Sequence, residues 1–91
     1  MSAEEAKQYH VKISALMVHN TIFIEPGLFS NVTYVLQGMA LNDDAMRDGF
    51  NELKFWFCEG WKANAIPPVL FAHIMRYVDR GIKLFTTESA P

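Results

Sequence analysis

Apolar residues recur along this chain at steps of three and four, the spacing that gathers side chains on one side of an α-helix. Met46, Phe50, Leu53 and Phe57 form the cleanest run, and at 100° per residue they fall within about 60° of one another. Asn42 just ahead of them suits an N-cap, while Asp43 and Asp44 put negative charge where the helix dipole favours it. Gly60 is expected to close that helix. Leu70, Phe71, Ile74, Val78 and Ile82 repeat in the same way after Pro67-Pro68, and proline suits a first helical turn. Near the start, Ser2 and Glu5 have capping-box spacing, and Ala6, Tyr9, Ile13, Leu16 and Met17 then mark a helix to about His19.

Two segments read less cleanly. Val11, Ile13, Ala15 and Met17 also alternate with His10, Lys12, Ser14 and Leu16, as a strand would. Thr21 to Ile24 adds β-branched and aromatic weight and predicts an extended or strand-like stretch. Glu25-Pro26-Gly27 predicts a break in regular structure. A short helix from Phe29 to Met39, capped by Ser30 and turning Tyr34 and Leu36 inward, is expected after it. The expected class is mainly α, a compact bundle of about four helices. The alternative is α+β, with the N-terminal segment forming strands. One domain is expected over 1–85, with a frayed tail over 86–91.

Composition changes this picture in one respect. With 91 residues, the chain has room for a single core and buries only about 60% of its unfolded surface. Yet 51% of it is hydrophobic and 13% aromatic, more than a small interior readily holds. The surplus points to apolar surface covered by another chain, as in a homodimer or a permanent complex. The net charge of −2 argues against a dedicated nucleic-acid binder, whose affinity comes from neutralising phosphates. A single cysteine, no export signal and no apolar run near 20 residues point to the cytoplasm and to no membrane span.

The candidate contact residues follow from which positions break the helical pattern. Phe55 points away from the core face of its helix, among Asp48, Asn51, Glu59 and Lys62, with Trp56 on one flank and Trp61 toward the other. A phenylalanine there is either covered by the same domain, tolerated in solvent, or bound by a partner. The last helix is apolar around half its circumference, wider than a small monomer needs, which adds Met75 and Tyr77 to the partner-binding set. On its polar side His73, Arg76, Arg80 and Lys83 fall within about 80°. They form either a solvated cationic face or a contact for an anion or nucleic acid.

Catalytic chemistry finds little foothold. Cys58 with His10, His19 or His73 would make a nucleophile-base pair, but a lone cysteine in an aromatic run more often serves as a small buried hydrophobe. The histidines lack metal-ligand spacing, and the five isolated glycines form no phosphate loop. No catalytic residue, metal or cofactor is assigned. A core lined by Met and Phe also suits an apolar ligand. The expected function is therefore a non-catalytic protein-protein interaction module, an adaptor, chaperone-like protein or regulatory subunit. It would act through an aromatic- and Met-rich helical surface, as an oligomer or with a larger protein partner. The alternative is a small dimeric nucleic-acid-associated regulator using the basic strip.

Overall fold

Four helices follow one another in the computed structural model, which describes residues 3–89 and side chains over 4–86. They are α1 (Ala3–His19), α2 (Pro26–Met39), α3 (Asp43–Lys62) and α4 (Pro68–Ser89), and no strand occurs among the described residues. The mainly α reading holds, and the α+β alternative does not. The helix α4 runs past the expected boundary at residue 85 to Ser89, while Ala90, Pro91 and the capping residue Ser2 lie outside the described residues.

Thr21–Phe23 forms a 3₁₀ turn rather than an extended or strand-like stretch. The cause is local. Asn20 donates its side-chain amide to the Leu16 carbonyl at 2.9 Å, and the Thr21 hydroxyl donates to Val18 at 2.9 Å. These bonds satisfy the free carbonyls ending α1 and hold the chain in a turn rather than an extended path. Ile24 then drops into the core, and the Glu25 N–H donates to the Ala65 carbonyl at 2.9 Å.

The expected break at Glu25-Pro26-Gly27 is the start of α2. Glu25 is the extended N-cap, and Pro26 occupies the first turn, where its missing N–H costs nothing. Leu36 is buried as expected, but Tyr34 is 80% exposed, because a helix begun at Pro26 turns Val32, Val35 and Leu36 inward and Tyr34 out. Asn42 caps α3 as anticipated, its Oδ1 accepting from the Ala45 N–H at 2.8 Å. Gly60, however, lies within α3, where it gives the Leu28 side chain room. The helix ends instead at Lys62 with Ala63 as its C-cap, and Asn64 just beyond takes the left-handed conformation at φ 59°. The Ala65 N–H reaches the Gly60 carbonyl and the Asn64 N–H reaches Trp61, the paired bonds of a Schellman motif.

The helices pack in a ring, α2 on α3, α3 on α4 and α4 back on α1, with the lightest seam between α1 and α2. Phe50, Phe57, Ile13, Met17, Met39, Leu53, Ile74, Val32 and Val78 fill its centre. Two further glycines set close approaches as Gly60 does: Met39 packs over Gly49, and the Phe50 ring lies against Gly81. No buried side-chain polar atom lacks a partner among the described residues. The His10 Nε2–H donates to the Leu36 carbonyl at 2.7 Å, tying α1 to the last turn of α2.

Candidate functional site

The contact residues anticipated from sequence do not share one surface. Phe55 is 57% exposed on the polar side of α3, its ring meeting the edge of half-buried Trp56 at 5.2 Å. Trp61 lies about 120° away around the same helix and stacks on Phe71 of α4 at 5.5 Å and 16°, still 48% exposed. Tyr77 faces α1, half-buried against Tyr9, with Lys12 of α1 over its ring. Met75 is buried in the core. The apolar breadth of α4 is used inside the bundle, on α3 and α1 together, so Met75 offers no surface contact.

Methionine in fact contributes nothing to the described exterior: Met17, Met39, Met46 and Met75 are all buried. A flexible, unbranched side chain fills the irregular gaps left where four short helices meet. The exposed apolar surface is instead aromatic and aliphatic.

Part of it lies where the 3₁₀ turn meets the start of α4, a region sequence pattern did not single out. Leu16, Asn20 and Phe23 on one side and Pro67, Val69, Leu70 and His73 on the other line an open groove of about 460 Å³. Ile22 is 86% exposed and Val69 83%, and Val18 and Phe23 are exposed with them. The signal was present in the β-branched and aromatic weight of Thr21 to Ile24. Taking it as a strand assigned those side chains to a sheet rather than to solvent.

The cationic strip is arranged as its spacing implied. Arg76, Arg80 and Lys83 are exposed on the solvent side of α4, and His73 stands at the groove with its ring edge-on to Tyr77 at 6.1 Å. Lys7, Arg47, Lys54 and Lys62 each pair with a carboxylate. Among the described residues no carboxylate stands within ion-pair distance of Arg76, Arg80 or Lys83. Asp79 of the same helix borders the strip, about 40° around the helix from Lys83, and pairs with Lys54 of α3 at 3.4 Å.

Cys58 is half-buried against the core, and no histidine is hydrogen-bonded to it among the described residues. His10 is instead engaged with the Leu36 carbonyl. No group of three or more His, Cys, Asp or Glu side chains is placed to hold a metal ion among the described residues, and no described helix is long and apolar enough to cross a membrane. No protein-family model, curated protein or solved structure matches the chain.

Proposed function

We propose that this chain is a non-catalytic protein-protein interaction module. The observation behind it is an imbalance between interior and surface. The four helices bury one continuous apolar core, and no buried side-chain polar atom lacks a partner among the described residues. Nine large apolar side chains among the described residues nonetheless stay exposed, Ile22, Phe23, Phe55, Trp61 and Val69 among them. Large apolar and aromatic side chains left exposed on a folded surface are common anchors of protein interfaces. An adaptor or regulatory subunit uses such a surface, and self-association through it makes a homodimer.

The test is light scattering on a size-exclusion column at micromolar concentration, with Phe55→Glu beside the wild type. A dimer that the substitution splits places the self-contact on α3. A monomer in both cases removes the homodimer and leaves binding to another protein as the role of the exposed surface.

A further inference from the structure

We infer that the groove beside the 3₁₀ turn and the cationic strip of α4 form one continuous binding site for an acidic, amphipathic peptide segment of another protein. It rests on the interaction-module reading and names the partner's chemistry. His73 is the joint. Its ring lines the groove, and it opens the series His73, Arg76, Arg80, Lys83, which runs about 15 Å along the solvent side of α4. Lys12 of α1, held over the Tyr77 ring, widens the strip toward α1.

Charge complementarity defines the occupant. Among the described residues four of the eight Lys and Arg are tied to carboxylates, and the other four, Lys12, Arg76, Arg80 and Lys83, have no carboxylate within ion-pair distance. Setting these four aside leaves four cations against ten carboxylates elsewhere, a balance of −6 around a face of +4. An apolar anchor seated between Leu16, Phe23, Val69 and Leu70 lays the adjoining residues of its chain along α4, where spaced carboxylates meet the unpaired cations. A short acidic run ends with the strip. A long polyanion such as nucleic acid runs on past the strip over the acidic remainder of the surface, where like charge repels it. An anionic membrane fits less well too, since a strip running away from the apolar end does not hold its cations at one headgroup depth.

The experiment is a peptide-display selection on the full chain. The recovered peptide is then titrated by fluorescence anisotropy against wild type, Val69→Glu and the double variant Arg76→Glu/Arg80→Glu. All three positions are exposed, and a glutamate at position 69 sits in the first turn of α4, where the dipole favours it, so thermal melts should match wild type. The expected selection combines bulky apolar residues with two or more carboxylates. Binding is expected to weaken on the order of tenfold in either variant and to fall as salt rises. Recovery of peptides without acidic bias, no enrichment at all, or affinity indifferent to the double charge reversal overturns the inference. So does a twenty-nucleotide single strand or a phosphatidylserine vesicle that binds through Arg76 and Arg80 while acidic peptides do not. A dimer split by Phe55→Glu alongside any of these negative results leaves the interaction module standing and removes this site alone.

Discussion

Gly81 and Gly38 both sit inside helices, but their surroundings give substitution opposite signs. A Cβ on Gly81 runs into the Phe50 ring, which is fully buried and has nowhere to turn, whereas one on Gly38 meets nothing within 4 Å. Gly81→Ala is therefore expected to destabilise by about 1–3 kcal/mol from overpacking, less the helical preference of alanine. Gly38→Ala is expected to stabilise by about 0.5–1 kcal/mol, since alanine loses less backbone freedom on folding. Urea unfolding of the pair checks both, and equal signs would contradict the packing described. At His10, replacement by alanine leaves the Leu36 carbonyl without its 2.7 Å donor at the end of α2. A loss of about 1 kcal/mol in the same measurement is the expected result.

Helix ends, more than helix interiors, separate what was legible from what was not. The N-cap of α3 was readable because Asn42 acts through its own side chain on a donor three residues along, an arrangement local in sequence. The C-terminus of α3 was misassigned to Gly60 because glycine is the commoner signal there, whereas Asn64 carries the positive φ. Asn64→Gly should be nearly neutral, while Asn64→Val should lower stability by about 1–2 kcal/mol, because a β-branched residue is strained at that φ. Thermal unfolding followed by circular dichroism distinguishes the two. Pro26 shows the same ambiguity in another form: proline stops a helix from one side and starts one from the other. Which of these it does depends on the following residues finding a core, as Leu28 and Val32 do.

At the scale of the whole molecule, the bundle is held by a short list of side chains at its centre. Phe50 meets Phe85 at 6.2 Å and lies against Gly81, linking α3 to α4. Phe50→Ala removes this link and leaves a cavity, expected to cost about 3–5 kcal/mol, a large share of the stability of a domain this size. Loss of sharp near-ultraviolet circular dichroism at room temperature, or a steep fall in the unfolding midpoint, is the expected outcome. Phe55→Glu on the same helix should leave the unfolding free energy within about 0.5 kcal/mol of wild type, because its ring is already largely in solvent. A large destabilisation there would mean that Phe55 belongs to the core of an assembly.

By itself the sequence determined the helical class, the cores of α3 and α4, the cap at Asn42, the outward position of Phe55 and the alignment of Arg76, Arg80 and Lys83. Each of these depends on residues within one helix, where a fixed 100° per residue converts spacing into direction. The tertiary structure decided what spacing alone leaves open. It buried Met75 between neighbours, parted Phe55 from Trp61, turned Tyr34 outward, and made a 3₁₀ turn of residues that read as a strand. It also brought Phe23 beside Val69 and set His73 where the groove meets the strip. Side chains more than forty residues apart meet only when helices from distant parts of the chain pack together, so the groove has no signature in any single stretch of sequence.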